Sequence, residues 1–377
     1  MKEPNSNGGD AVDALEGMLQ AEFEKNSAFN EVFNGDTPIE IPSRITGQDS
    51  YKYNASDLLF WTDRKAYLEE FGSWQEAERL DQHDTAIQCI TDGNHEAVFS
   101  DLVHAIARSR IAPFVGAGMA KATGLPLWGE ALEEIHARIT SADSAKFQDA
   151  ISGCDYLEAA ELLWKADKEQ VKNFIRTRFA KAYTPKHKIE GGAKLLPRIS
   201  HGCIVTTNFD SIIETLDPGI EGYMHGLQQG NKFVTKLIRG DRCILKLHGD
   251  AEDPDTFVFT KSQYDEAYGA KFDFSKPLPR ALRQIFISHS LLFLGCSMER
   301  DRTLELLEHV RAAGEFDLPD HYAILPEPAG GESKAAKEGR LLALGIRPIW
   351  YPAGEHGLVE NLIQLALAVE EGEVKFP

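Results

Sequence analysis

The stretch GCIVTTNFD, residues 202–210, decides the fold that the sequence predicts. A short apolar run, residues 203–205, ends abruptly at small polar residues and is followed by Asn208 and Asp210. A buried parallel strand ends in this way when its carboxyl edge carries a binding site, because ligands of open α/β sheets lie in the crevice beyond the strand ends. The stretch therefore predicts a central strand with functional side chains directly after it.

A glycine loop follows an earlier apolar segment. Residues 111–115 are apolar and lead into Gly116, Ala117 and Gly118. Glycine allows backbone amides to approach a phosphate closely, and a helix that begins behind such a loop turns its positive end toward the anion. We expect these three residues to contact the phosphates of a nucleotide.

Two later segments repeat the arrangement of strand and loop. Residues 243–247 are apolar except for one lysine and precede His248, and residues 291–294 precede Gly295 and Ser297. Each of the four predicted strands thus ends at a glycine or a compact polar group. Together they predict a nucleotide-binding crevice.

Beyond residue 201 predicted strands and helices alternate, which indicates an α/β fold with a Rossmann-like, doubly wound parallel sheet. The region between the first two strands is too long for a simple crossover and helical in pattern, so residues 129–200 are predicted to form an all-helical insertion. We expect a helical N-terminal region over residues 1–100 and a catalytic domain over residues 101–377. A weaker strand is predicted at residues 232–238, and a further strand is predicted at residues 256–259.

An amphipathic helix is predicted from Asp10 to Phe23, with Asp10 as its cap. Its apolar face packs either on another subunit or on its own domain, and the pattern favours neither. A homo-oligomer assembled through this region is one of the two expectations.

Composition excludes several classes of protein. The formal net charge of −19 argues against direct binding of nucleic acid, which depends on clustered lysine and arginine. The amino terminus has no basic lead or apolar signal core, and no apolar run is long enough to span a bilayer, so a cytoplasmic protein without membrane contact is expected. The five cysteines include no CxxC pair, which favours buried small residues over a metal site.

Two common nucleotide-binding patterns are absent. A GxGxxG fingerprint that begins at Gly116 would require glycine at position 121, where this chain has Lys121. The Gly-Lys-Ser/Thr ending of a Walker loop is also missing. An ordinary Rossmann dehydrogenase and a P-loop ATPase are therefore not predicted.

The segments GAGMAKATGLPLW, TTNFD, KLHGD and LGCS resemble, in order and spacing, the NAD-binding core of the sirtuin-like family over about residues 111–301. The resemblance implies that the GAG loop binds the pyrophosphate and that Asn208 and Asp210 face the nicotinamide and its ribose. It also implies that His248 is the catalytic base and that the segment from Gly295 to Ser297 binds the adenosine ribose.

Departures from the deacylase pattern indicate the branch of the family. The two CxxC pairs that hold structural zinc are missing, Ala120 replaces a serine, and Leu127 and Trp128 replace an Asp-Phe-Arg ending. The chain is similar in these respects to bacterial sirtuin-like NAD hydrolases of antiphage defence. The resemblance implies that NAD is the substrate, that no zinc is needed, and that a HerA-type hexameric ATPase is the partner.

The residue types suit cleavage of the nicotinamide–ribose bond. Asn208 can position a water or a ribose hydroxyl, His248 can accept a proton near neutral pH, and Asp210 can bind the carboxamide. Thr207 and Ser297 can bond ribose or phosphate oxygens. Asn208 or Asp210 alone would more simply cap the helix that follows. We therefore expect an NAD+ glycohydrolase, with a non-hydrolysing NAD or ADP-ribose sensor as the alternative and a protein deacylase as the least favoured reading.

Overall fold

The computed structural model describes residues 7–45, 50–180, 185–200, 202–224, 227–269, 271–299 and 302–376. The chain divides into two compact units, Met1–Gln82 and His83–Pro377. The boundary predicted near residue 100 stays a prediction; helix α6 (Glu96–Ala107) lies after the division and packs against α18 (Leu358–Glu370).

The first unit is mainly helical, as predicted. Its helices are α1 (Asn7–Lys25), α2 (Ser27–Asn34), α3 (Ala55–Thr62) and α4 (Arg64–Gln82), and strands β1 (Ile39–Ile41) and β2 (Tyr51–Tyr53) form an antiparallel pair. The predicted helix from Asp10 to Phe23 lies within α1, which begins at Asn7, so Asp10 is inside the helix and not at its cap.

Aromatic side chains form the core of this unit. Phe29, Phe60 and Tyr67 are buried together, and the Tyr67 hydroxyl donates a hydrogen bond of 2.6 Å to Oδ1 of Asn30. The strands β1 and β2 were not predicted, because three residues are too few for an alternating pattern to stand out.

The second unit contains one parallel sheet. Within the described residues the sheet has seven strands in the order β5-β6-β4-β3-β7-β8-β9, all paired in parallel. Their bounds are β3 Ile111–Val115, β4 Cys203–Thr206, β5 Glu221–Met224, β6 Cys243–Lys246, β7 Ser290–Leu294, β8 His321–Pro326 and β9 Ile346–Tyr351. The predicted α/β, Rossmann-like, doubly wound sheet is confirmed.

Helices cover the sheet. In addition to α6 and α18 they are α5 Asp84–Asp92, α7 Gly118–Lys121, α8 Trp128–His136, α9 Ser144–Ser152, α10 Tyr156–Arg178, α11 Leu196–Ile199, α12 Ile212–Leu216, α13 Leu227–Arg239, α14 Lys261–Tyr268, α15 Pro277–Ser288, α16 Arg302–Ala313 and α17 Lys334–Ala343. The described residues between β3 and β4 contain helices and short 3-10 turns, which confirms the all-helical insertion. No described helix combines the length and the apolar character that a membrane span requires.

Two strand predictions are wrong. Residues 232–238 belong to α13, whose Phe233 and Leu237 are four residues apart and both buried, as on one face of a helix. Residues 256–259 begin in the 3-10 turn Pro254–Thr256 and continue as a buried loop without strand pairing. The edge strand β5 was missed, because its sequence EGYM lacks β-branched residues.

Candidate active site

The four strand ends that the sequence singled out are neighbours in the sheet, in the order β6-β4-β3-β7. Thr206 at the end of β4 pairs with Val115 of β3 on one side and with Lys246 of β6 on the other. Val115 in turn pairs with Leu294 of β7. Because all four strands run parallel and end at one level, the loops that follow them leave the same edge of the sheet.

The glycine loop after β3 packs directly on the loop after β7. The Gly116 amide donates to the Leu294 carbonyl and the Gly118 amide to the Gly295 carbonyl, both at 2.9 Å. A Cβ on Gly116 would lie 2.5 Å from the Gly295 oxygen, and one on Gly118 would lie 2.8 Å from the Gly295 Cα. The structure thus gives these glycines a packing role, while their contacts with phosphate, and that of Ala117, stay predictions.

Asn208 links the end of β4 to the glycine loop. Its Nδ2 donates a hydrogen bond of 3.2 Å to the Gly116 carbonyl, and its backbone amide donates one of 3.1 Å to the Thr206 hydroxyl. The neighbouring Thr207 amide donates to the Val115 carbonyl at 3.1 Å. Asn208 and Thr207 are both half-buried. Two candidate residues that are about 90 positions apart in sequence, Gly116 and Asn208, are therefore in direct contact.

Asp210 is buried and forms an Asx turn just before the next helix, whose cap position is occupied by Ser211 and not by Asp210. Its Oδ1 accepts a hydrogen bond of 3.0 Å from the amide of Ile212, the first residue of α12. Burial raises the pKa of the Asp210 carboxyl, and the nearby Lys246 ammonium acts in the opposite direction. The neighbouring Asn208 side chain also acts to lower the Asp210 pKa.

Asn208 and Asp210 line a small cavity. Its volume is about 10 Å³, which suits about one water molecule. The other lining residues come from the ends of β3 and β4, from α7, α11 and α12, and from the segment before α11: Val115, Met119, Ala120, Ala193, Leu196, Thr206, Ile212 and Ile213. An amide, a carboxyl group and a hydroxyl thus meet a mostly apolar wall.

His248 follows β6 at the position at which Asn208 follows β4. Thr206 and Lys246, the last residues of the two strands, are paired in the sheet, and Asn208 and His248 each come two residues later. The half-buried imidazole places Nε2 at 2.6 Å from the Tyr264 hydroxyl, and the His248 carbonyl accepts from the Val258 amide at 2.9 Å.

The residue after His248 must be glycine. Gly249 has a φ of +98°, and a Cβ there would lie 2.6 Å from the carbonyl carbon of Thr256. A side chain would therefore meet both backbone strain and a fixed backbone atom. This close approach fixes the loop that presents His248.

Tyr264 was missed by the sequence reasoning. It lies on α14, sixteen positions after His248, and its ring stacks on Tyr268 with centroids 5.8 Å apart. No local sequence pattern links a tyrosine of one helix to a histidine of a preceding loop. Its hydroxyl orients the imidazole of the candidate base.

Lys246 was also missed, although it lies within the quoted KLHGD motif. The side chain is fully buried, which is rare for lysine unless it is paired. The one available signal was a charged residue inside an otherwise apolar strand. Its contacts join two loops of the site.

The loop after β7 leads away from this cluster. Gly295 touches the glycine loop, whereas Ser297 is exposed and its carbonyl accepts a hydrogen bond of 2.8 Å from Nζ of Lys337 on α17. Lys337 also pairs with Glu299 at 3.1 Å. Helix α17 therefore holds this loop, and the predicted ribose contact of Ser297 stays a prediction.

Aromatic residues of the helical insertion cover the loops after β4 and β6. Trp128 lies 5.0 Å from Phe259 and 6.3 Å from Phe209, measured between ring centroids. Trp128 thus packs in a cluster that joins the insertion to the site. The insertion supplies one wall of the site region.

In the part of the chain that the structure describes, no group of three or more His, Cys, Asp or Glu side chains is arranged to hold a metal ion. The expectation that no zinc is needed stays a prediction. The residues at the strand ends offer amide, imidazole, hydroxyl and backbone groups, which suit a nucleotide better than a metal.

Comparisons with known proteins agree with this geometry. Residues 202–349 match the SIR2-like domain. The chain is 27% identical over 233 residues, 61% of its length and 46% of the relative's, to the NAD(+) hydrolase ThsA of Bacillus cereus (strain MSX-D12). It is 28% identical over 231 residues, 59% of its length and 44% of the relative's, to the protein of the same name from Acinetobacter baumannii (strain 532279).

A longer match covers more of the chain. It is 20% identical over 308 residues, 80% of its length and 29% of the relative's, to Defense-associated sirtuin 2 of Bacillus subtilis. The chain spans less than half the length of each of these three relatives. Residues 202–349 are therefore similar to the SIR2-like domain, and the chain is similar to bacterial proteins named for NAD(+) hydrolysis and for defence.

Proposed function

We propose that this chain hydrolyses NAD+ at the nicotinamide–ribose bond, releases nicotinamide and ADP-ribose, and acts in antiphage defence by depleting NAD. The observation that carries the proposal is the placement of Asn208 and His248 at equivalent positions just beyond two adjacent strands, with Asn208 bonded to the glycine loop after β3. The names of the relatives support the same activity and role.

The environment of Asn208 fits a role in positioning. Its Nδ2 donates to the Gly116 carbonyl, so Oδ1 is the group that accepts from a water or a ribose hydroxyl. Nicotinamide leaves NAD+ as a neutral molecule, so the enzyme needs no strong acid. Holding water and ribose in place, and stabilising the positive charge that develops on the ribose, supplies most of the catalysis.

His248 supplies the base. The hydrogen bond with Tyr264 fixes the orientation of the imidazole, which accepts a proton from a ribose hydroxyl or from water. Asp210, buried behind Asn208, contributes a carboxyl for the carboxamide or for holding Asn208. The glycine loops and the segment from Gly295 to Ser297 bind the phosphates and the adenosine ribose.

We further propose that the enzyme is held inactive until it is activated. The cavity of about 10 Å³ beside Asn208 has room for about one water molecule, and His248, Gly295 and Ser297 are not among its lining residues. We propose a cytoplasmic homo-oligomer that assembles with a HerA-type hexameric ATPase. Because the net charge of −19 disfavours binding of DNA by this chain, we propose that any contact with DNA is made by that partner.

The test is release of nicotinamide from NAD by the purified chain, alone and with the ATPase, followed by chromatography. Asn208→Ala and His248→Ala are expected to lower turnover by about 10²- to 10⁴-fold. Asn173→Ala and His104→Ala, at exposed helical positions, are the matched controls and should retain turnover. Wild-type turnover in both site variants would refute the mechanism, and NAD that is bound but intact would indicate a sensor.

A further inference from the structure

Lys246 is a fully buried cation at the last position of β6. Its Nζ has acceptors in three separate segments of the chain. They are the carbonyl of Asp210 at 2.7 Å, with that of Phe209 at 3.4 Å, Oδ2 of Asp250 at 2.8 Å and Oε1 of Glu214 at 3.0 Å.

The acceptors match the capacity of the ammonium group. A lysine ammonium has three N–H donors, and Asp210, Glu214 and Asp250 each lie at hydrogen-bond distance. Burial lowers the pKa of Lys246, but the two carboxylates more than compensate and the pKa stands above its ordinary value. The side chain is therefore a charged, fully bonded junction.

The segments that meet at this junction carry the candidate catalytic residues. Asp210 lies two positions after Asn208, and Lys246 itself lies two positions before His248. The same two loops are also joined directly, since the Ala251 amide donates to the Phe209 carbonyl at 3.0 Å. An ammonium that bonds both loops restricts the distance between them.

Stability alone is a weak reason for such an arrangement. Replacing a buried ion pair with apolar residues of similar volume is often neutral or stabilising. What an apolar side chain cannot do is donate to a backbone carbonyl of one loop and a carboxylate of another at the same time.

We propose that Lys246 is a positioning residue for NAD hydrolysis, whose ammonium holds the loop of Asn208 and the loop of His248 in their working arrangement. The inference rests on the proposed function. Lys246 does not touch the substrate in this proposal and acts only through the residues that it holds.

The first test is steady-state kinetics of Lys246→Met, which keeps the length and removes the charge. Because small displacements of reacting groups cost about 10²-fold in rate, kcat for NAD should fall by about that factor while KM changes less than about threefold. Lys236→Met, which removes a lysine paired with Asp241 at 3.4 Å on the surface of the same unit, is the control and should leave kcat unchanged.

A second variant covers the case in which Lys246→Met does not fold because two carboxylates lose their counter-charge. The triple variant Lys246→Met, Glu214→Gln, Asp250→Asn removes those unpaired charges. It still lacks the ammonium that bonds the loop of Asn208 to the loop of His248. The proposal predicts a folded protein with kcat still lowered by about 10²-fold. A kcat of the triple variant within twofold of wild type would overturn the proposal. An unchanged kcat with a raised KM in Lys246→Met would also overturn it.

Hydrogen exchange separates this inference from the proposed function. The Ala251 amide, which bridges the two loops, should exchange about tenfold faster in the Lys246 variants than in Lys236→Met. The Leu247 amide, bonded to the Thr206 carbonyl at 2.9 Å, is the internal reference and should change little. If wild type releases no nicotinamide even with the ATPase and after activation, the proposed function fails and the exchange result still decides whether Lys246 holds the loops. Unchanged exchange at Ala251 would overturn the inference.

Discussion

The close contact between the glycine loop and the loop after β7 can be tested by adding a single methyl group. Gly295 has a φ of +66°, and a Cβ there would lie 2.9 Å from the carbonyl carbon of Gly118. Gly314, on the same unit, has a φ of +64° with no atom within 4 Å of the added Cβ. The two glycines therefore share the backbone strain and differ in the space around them.

We expect Gly314→Ala to cost about 1–2 kcal/mol, the penalty of a left-handed conformation for a residue with a Cβ. Gly295→Ala should cost about 2–5 kcal/mol, because overpacking against a fixed backbone adds about 1–3 kcal/mol to that penalty. The difference of about 1–3 kcal/mol isolates the close packing of the loops.

The assay is hydrogen exchange of the slowest amides of β3 and β7, which report the free energy of unfolding of this unit alone. Gly295→Ala should also release less nicotinamide, since the displaced loop carries predicted ligand contacts. Equal losses of stability in Gly295→Ala and Gly314→Ala would refute the packing argument.

Further predictions concern three hydrogen-bonded groups. Tyr264→Phe removes the hydroxyl that lies 2.6 Å from Nε2 of His248. In steady-state kinetics it should lower kcat by about tenfold with little change in KM. An unchanged kcat would exclude an orienting role. Burial lowers the pKa of His321 to about 4. As the pH falls, this histidine is therefore protonated in the unfolded chain at a higher pH than in the folded chain. The free energy of unfolding should fall by up to about 3 kcal/mol as the pH drops from about 6.5 toward 4. His321→Asn, which does not titrate, should show a shallower loss in urea titrations across that range, and identical slopes would contradict the assignment. Tyr67→Phe leaves Oδ1 of buried Asn30 without its 2.6 Å donor and should destabilise the first unit by about 1–3 kcal/mol in thermal unfolding, whereas a neutral result would mean that water replaces the hydroxyl.

Much of the sheet was predictable because its signals are local. Short apolar runs that stop at glycine or at a compact polar group mark buried parallel strands, and the four runs found in this way are adjacent in the sheet. The failures are also local in origin. Residues 232–238 suggest a strand because they are rich in β-branched and aromatic residues. The spacing of four between Phe233 and Leu237 decides the helix once both pack in the core.

The sequence by itself determined the α/β class, the helical insertion and the residues at the strand ends, because these follow from periodicity and from residue type within a few positions. Only the tertiary structure decided how those residues are held. The hydroxyl of Tyr264 against His248, the Gly295 backbone against Gly118 and the Lys246 ammonium between two loops all join atoms from different elements. Such contacts depend on strand order and on the packing of helices against the sheet. No local pattern encodes them, because parallel strands place in contact segments that are far apart along the chain.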